Sequence, residues 1–290
     1  MLEAYGVFEG GGVRGIALVG ALAAAEEEGI KFGAVAGTSA GAIVASLLAS
    51  GYTAGEMRSI LSSTGFREFE DGKTIIPGLR YLLGWWRLGL HKGDSFHRWI
   101  AELISLKLTG RRNDSPRFGD LKKPLTVVAT DVVRQQVKVF STRRTPDMVV
   151  ADAVRMSMSI PFFFVPVRFG KEVIVDGGVL SNFPAWAFDE ERNAAPLPII
   201  GFRLQLADLP PPKIKNQLDL AKAIVSTMRR AGNQLQVEHV PDLYVVDLPT
   251  LEVRTTDFDV SRVKKDELYE AGYRTAKAFF ATTDFTSSGA

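Results

Sequence analysis

The sequence predicts an α/β fold with parallel strands in a doubly wound sheet. Within the first fifty residues the chain twice runs from a short apolar strand through a glycine-rich turn into a helix of small apolar residues. Successive units of this kind build parallel sheets, because each helix carries the chain back to begin the next strand in the same direction. The same alternation resumes late, with strands over 199–206 and 243–246 and helices over 219–231 and 264–280.

A length of 290 residues allows one large α/β domain or two smaller ones, and the chain is read as a single domain over 1–290. Hydrophobic residues make up 46% and charged residues 23%, enough for a sizeable core and too little polarity for disorder. A net charge of +2 argues against a nucleic-acid partner. The absence of cysteine excludes disulfides, thiolate metal sites and a cysteine nucleophile. Residues 1–8 lack the basic and long apolar regions of a signal peptide and read as the first strand. The most apolar helical run, 16–25, is too short to cross a bilayer and ends in Glu26-Glu27-Glu28. A cytoplasmic or peripheral membrane protein is expected, with no transmembrane helix.

Taken in order, strand 5–8 leads through Gly10-Gly11-Gly12-Val13-Arg14-Gly15 into the first helix, which closes at Gly29. The second unit spans 32–49. Residues 53–109 carry helix signals and no convincing strand, and read as a helical insertion. Within it, 75–88 combines apolar bulk with Trp85 and Trp86; packing against the sheet is the plainer reading, a lid or interfacial contact the sharper one. The basic stretch 107–144, with Arg111, Arg112, Arg117, Lys122, Lys123, Arg143 and Arg144, reads as a solvated loop face, or more sharply as a surface for anionic headgroups. Inside it, 125–131 is a buried strand and 136–141 its hairpin partner. A helix over 152–159 stops at Pro161, and strand 173–175 ends in Asp176-Gly177-Gly178. The proline-rich 209–213 is a stiff connector within the domain, 206–282 supplies the closing elements, and 282–290 is a frayed tail.

One stretch carries chemistry on its own. Gly37-Thr38-Ser39-Ala40-Gly41 places a serine in a G-x-S-x-G frame between strand and helix, where a sharp turn strains and exposes the central residue. A tight turn of small residues is the plain alternative. Gly10, Gly12 and Gly15 satisfy the G-x-G-x-x-G spacing of a dinucleotide site, but the second strand lacks the acidic end that would hold a ribose. The same loop can turn backbone N–H groups toward one point at a helix start, with Arg14 nearby, and so act as an oxyanion hole beside a serine.

The base is harder to assign from residues alone. Of the three histidines, His91, His97 and His239, only His239 suits the order of a Ser-Asp-His triad. It reads better as a helix end, and Ser39 follows only the second strand. Asp176 ends a strand, as Ser39 does, so both can project from the carboxyl edge of one parallel sheet. Asp131 ends another strand, and spacing leaves the two carboxylates open.

Together, Gly10-Gly11-Gly12-Val13-Arg14-Gly15, Gly37-Thr38-Ser39-Ala40-Gly41 and Asp176-Gly177-Gly178 resemble the motif set of the patatin-like phospholipases. Ser157-Met158-Ser159-Ile160-Pro161-Phe162-Phe163 and Asn182-Phe183-Pro184 resemble the family's blocks around the third motif. The resemblance covers about 5–205. It implies a three-layer α/β/α sandwich, with Ser39 as nucleophile, Asp176 rather than Asp131 as general base, and no histidine, metal or other cofactor. An oxyanion hole from Gly11 and Gly12, helped by Arg14 and the Ala40 N–H, is also implied. So are acyl-lipid substrates met at a membrane or lipid-aggregate surface. A non-catalytic lipid-binding protein on the same fold is the alternative, with Ser39 a turn residue.

Overall fold

A computed structural model describes residues 1–72, 88–205, 214–237 and 240–285. The strands are β1 (Glu3–Phe8), β2 (Lys31–Thr38), β3 (Gly89–His91), β4 (Leu125–Asp131), β5 (Gln136–Ser141), β6 (Phe162–Phe164), β7 (Val167–Phe169), β8 (Glu172–Asp176), β9 (Ile199–Leu204) and β10 (Leu243–Leu248). The helices are α1 (Ile16–Glu27), α2 (Ala40–Ser50), α3 (Ala54–Ser63), α4 (Asp94–Thr109), α5 (Val150–Ser157), α6 (Asp189–Ala194), α7 (Gln217–Val237) and α8 (Arg262–Thr282).

Eight strands form one sheet in the order β10-β9-β1-β2-β4-β8-β7, with β5 pairing β4. Contacts from β10 to β4 along this path are parallel; those of β4 with β5, β4 with β8 and β7 with β8 are antiparallel. The parallel strands are covered on both faces, as their near-continuous apolar sequences require. Tyr5, Val7, Ala34, Ala36 and Ile199 share one core with Phe183, Ala185 and Phe188. The alternate residues Ala4, Phe8 and Val35 turn to a larger core with α1, α2 and α8. Helix α1 is apolar almost all round, so it is buried on several sides and not only against the sheet. Its Gly20 lets α8 approach until backbones touch: a Cβ there would meet the Tyr269 carbonyl.

Three placements differ from the sequence reading. Strand β3 lies inside the segment read as purely helical. It pairs with β6 only through Gly89–Phe162 and His91–Phe164, too short a ladder to leave an alternation signal. Strands β6 and β7 were likewise invisible at three residues each. Third, β8 runs antiparallel to β4, so Asp176 does not leave the carboxyl edge of a parallel strand.

Register explains where Asp176 goes instead. Residues 126–131 of β4 pair with β5 along one edge, leaving one other edge for both β2 and β8. Thr38 pairs Val128 and Asp176 pairs Ala129, so β2 and β8 meet end to end on consecutive residues of β4.

The basic stretch is a face laced with ion pairs, among them Arg112–Glu102, Arg117–Asp147, Arg143–Glu190 and Arg144–Glu190. Among the described residues no helix is long and apolar enough to cross a membrane. Trp85, Trp86, the 209–213 connector and His239 lie outside the described residues.

Candidate active site

Ser39 occupies the turn between β2 and α2 with φ 55° and ψ −124°, a left-handed conformation that costs a non-glycine residue about 1–3 kcal/mol. Neighbouring groups hold it there. Its N–H donates to Ser157 Oγ at 2.8 Å, and the Ser157 hydroxyl donates to the Val128 carbonyl at 2.6 Å. Its carbonyl accepts from Ala42 N–H at 2.9 Å and opens α2. The turn closes tightly because Gly37 lacks a Cβ, which would stand 2.7 Å from the Ala42 nitrogen. The strain read from the sequence is present; the exposure is not. Ser39 is only 3% exposed, with Oγ 3.5 Å from the Met158 sulfur, because the end of α5 and the glycine loop close over it.

Asp176, 5% exposed, caps a turn of 3₁₀ helix by accepting the Gly178 N–H on Oδ1 at 2.7 Å. Its own N–H donates to the Ser159 carbonyl at 2.9 Å. Burial raises its pKa above the ordinary value of 3.8, because an ionised carboxylate loses hydration there. The Arg229 charge, hydrogen bonding by the Ser39 hydroxyl and the Gly178 N–H oppose that rise. Gly177 keeps the junction narrow: a Cβ there would stand 2.9 Å from Thr38 Cγ2.

The glycine loop lies against both. A Cβ on Gly10 would be 3.1 Å from Ser39 Cβ, and one on Gly15 would be 2.8 Å from Ala40 Cβ. Gly12 has φ 58°, and a Cβ there would strike the Thr255 carbonyl, so this position accepts glycine alone on two counts. Gly10 is tied on both sides: its N–H donates to the Asn182 carbonyl at 3.0 Å, and its carbonyl accepts from Asn182 Nδ2 at 3.1 Å. The N–H groups of Gly11 and Gly12 donate to no acceptor among the described residues. Arg14, 6% exposed, donates through Nε to the Gly11 carbonyl at 3.1 Å. Burial and the nearby Arg229 push its pKa down to about 10, with Glu9 and Asp257 opposing, so it stays cationic at neutral pH.

Of the residues expected from sequence, the structure brings together Ser39, Asp176, Ala40, Arg14 and the glycines Gly10, Gly11, Gly12, Gly15, Gly37, Gly41, Gly177 and Gly178. Asp131 does not compete for Ser39. It is fully buried at the far end of β4, where Oδ1 accepts the N–H groups of Val133 and Arg134 in a hairpin turn. His97 pairs with Asp152 at 2.7 Å, and the buried His91 packs on Phe163. Sequence reasoning missed four contributors. Ser157 and Asn182 sat in recognised blocks, but only their tertiary partners reveal what they hold. Glu9, buried beside the loop, accepts Asn182 Nδ2 on Oε1 at 2.8 Å and the Leu204 N–H on Oε2. Arg229 had no local signal at all.

Comparison with known proteins places these observations. The sequence profile described as Patatin-like phospholipase matches residues 6–189. An uncharacterized Bacillus subtilis protein, YqhO, is 40% identical over 290 residues, covering 94% of this chain and 97% of that one. A "Probable lipid hydrolase" of Invertebrate iridescent virus 6 is 28% identical over 185 residues, covering 61% of this chain and 60% of its own. Among solved structures, VipD from Legionella pneumophila superposes with a TM-score of 0.60 at 20% identity, over 96% of this chain and 67% of that one; that likeness speaks to fold.

Proposed function

The chain belongs to the patatin-like phospholipase family, and from that premise we propose that it is a serine lipid acyl hydrolase cleaving carboxylic esters of phospholipids or related acyl lipids. The observation that carries the reading is the meeting of β2 and β8 on consecutive residues of β4, which brings the strained, buried Ser39, one residue past Thr38, to the buried Asp176. Ser39 Oγ attacks the ester carbonyl while its proton passes to the Asp176 carboxylate. The tetrahedral oxyanion is met by the N–H groups of Gly11 and Gly12, with Arg14 and the Ala40 N–H beside them. The proton then moves from Asp176 to the departing alcohol oxygen, leaving an acyl-enzyme. Water attacks this ester, gives a proton to Asp176, and the fatty acid leaves as Ser39 Oγ recovers the proton.

The raised pKa supports Asp176 as base. An ordinary aspartate is a weak base at neutral pH; desolvation makes Asp176 a stronger one, and the Arg229 charge limits that rise. An acyl lipid is met at an aggregate surface, and α7 offers one fitting face. Leu220, Ile224 and Met228 recur every fourth residue and are 48%, 52% and 41% exposed, with Lys215 exposed at the helix start.

The test is covalent labelling with a fluorophosphonate, read by intact mass, on wild type, Ser39→Ala and Asp176→Asn. A single adduct mapping to Ser39 and weakened in Asp176→Asn is expected. A well-folded wild type that takes no adduct, alone or with anionic liposomes, would overturn the assignment.

A further inference from the structure

The segment matched by the family profile ends at residue 189, yet a side chain from α7 enters the site. We propose that Arg229 is a positioning residue of the Ser39 site, pinning the Gly10 carbonyl so that the next N–H faces the reacting oxygen, and standing as counter-charge to Asp176. This rests on the roles given to Ser39 and Asp176 above.

The first half follows from the peptide plane. The Gly10 carbonyl and the Gly11 N–H belong to one trans unit and point in opposite directions. Whatever fixes the carbonyl therefore aims the N–H. Two donors fix it: Asn182 Nδ2 at 3.1 Å and an Arg229 guanidinium nitrogen at 3.2 Å. The same Arg229 nitrogen reaches Asn182 Oδ1 at 3.4 Å, so the two donors brace each other. Asn182 is in turn held by Glu9. Without such bracing a glycine-rich loop samples many peptide orientations, since glycine restricts φ and ψ least.

The second half follows from placement. Arg229 Nε lies 3.2 Å from where a Cβ on Gly178 would be, so the guanidinium rests on the backbone whose N–H binds Asp176 Oδ1. Other charged groups occur on the surrounding elements: Glu9 and Arg14 after β1, Asp131 on β4, Arg155 on α5 and Glu172 on β8. Among all of these, Arg229 is the charge that acts on Asp176. The described hydrogen-bond partners of Arg229 are the neutral Gly10 carbonyl and Asn182 Oδ1, and its charge reaches Asp176 from beyond ion-pair distance. Its charge works against the buried Arg14 cation beside it. Packing alone gives no reason for a second cation there.

The test is the rate of fluorophosphonate addition to Ser39 as a function of pH in wild type, Arg229→Met and Arg229→Lys, with thermal unfolding of each. In Arg229→Met the rate is expected to fall roughly tenfold or more, as the oxyanion donor loses its aim, and the acid limb to move up by about one pH unit, as Asp176 loses its counter-charge. Lysine keeps the charge without the planar fork. Arg229→Lys is therefore expected to hold the limb near the wild-type position while recovering only part of the rate. Should Arg229→Met not fold, that split in Arg229→Lys decides alone. A folded Arg229→Met with the wild-type rate, or with an unmoved limb whatever its stability, would overturn the proposal, as would Arg229→Lys with the full wild-type rate or with a limb shifted up; either result leaves Ser39 and Asp176 untouched. A wild type that takes no adduct at Ser39 would instead remove the reading beneath it, and the role of Arg229 with it.

Discussion

Thr38 and Asp176 take adjacent partners, Val128 and Ala129, on the same edge of β4. Two strands running toward each other along one edge must stop where they meet, and a residue of the proposed dyad sits at each stop: Ser39 follows Thr38, the last residue of β2, and Asp176 is itself the last residue of β8. The spacing of the proposed nucleophile and base is thus governed by strand register, the most rigid ruler the fold has, rather than by a long loop.

Ser157 is expected to matter to both stability and rate. Its hydroxyl accepts the Ser39 N–H and donates to the Val128 carbonyl, and Ser157→Ala leaves two buried polar groups unpaired. A loss of about 1–3 kcal/mol is expected in denaturant unfolding, with slower phosphonate addition as Ser39 relaxes from its left-handed conformation. A variant with wild-type stability and labelling rate would show that the elbow is held by other means.

Asp176→Asn is expected to abolish turnover and to stabilise the protein at neutral pH. Burial raises the folded-state pKa of Asp176 above the value near 3.8 that it has when solvated. The folded state therefore favours the protonated form. The resulting stability is fully present below that ordinary value and is lost as pH rises through the raised one. Asparagine keeps the shape and an acceptor for the Gly178 N–H without a charge to bury. The melting temperature of wild type is expected to approach that of Asp176→Asn as pH falls, and wild-type activity to fall on an acid limb above pH 3.8.

Gly10→Ala is expected to disable the site while leaving the Ser39 hydroxyl and the Asp176 carboxylate chemically intact. Its Cβ would occupy the place of Asn182 Oδ1 and stand 3.1 Å from Ser39 Cβ. Displacing Asn182 releases the Gly10 carbonyl and its neighbouring donor, and a loss in kcat on the order of a hundredfold is expected on a soluble ester. Retention of wild-type kcat would mean that the loop orientation is immaterial.

Ile224→Glu is expected to weaken attachment to lipid. Burial of an isoleucine in an apolar layer contributes about 1.5–3 kcal/mol, so partition onto anionic vesicles is expected to drop about tenfold or more in a sedimentation assay. Unchanged partition would move the lipid contact away from α7.

The sequence carried this site unevenly, for physical reasons. Ser39 and the glycine loop were legible because their geometry is local: a strand, a small-residue turn and a helix start lie within a few residues of one another. Asp176 was identifiable by motif, but the direction of β8 was not, since an apolar strand of five residues reads the same in either orientation. The parallel half of the sheet was legible from the repeated strand–helix units. The three-residue strands β3, β6 and β7 exist through tertiary pairing and leave no periodicity to detect. Arg229 was wholly silent, because an arginine on an amphipathic helix looks solvated until the helix is docked.

The position of β9 has a consequence for how the protein is made. Strand β1, which ends in the glycine loop, pairs β2 on one side and β9 on the other, matching Tyr5 to Ile199. A chain emerging from the ribosome therefore holds β1 with one edge open until most of its length has been synthesised. Pairings of such long sequence separation form slowly, and an unpaired apolar edge invites association with other chains meanwhile. A holding chaperone is therefore expected to raise the yield of folded protein by covering, until β9 arrives, a strand edge that the native structure never leaves open.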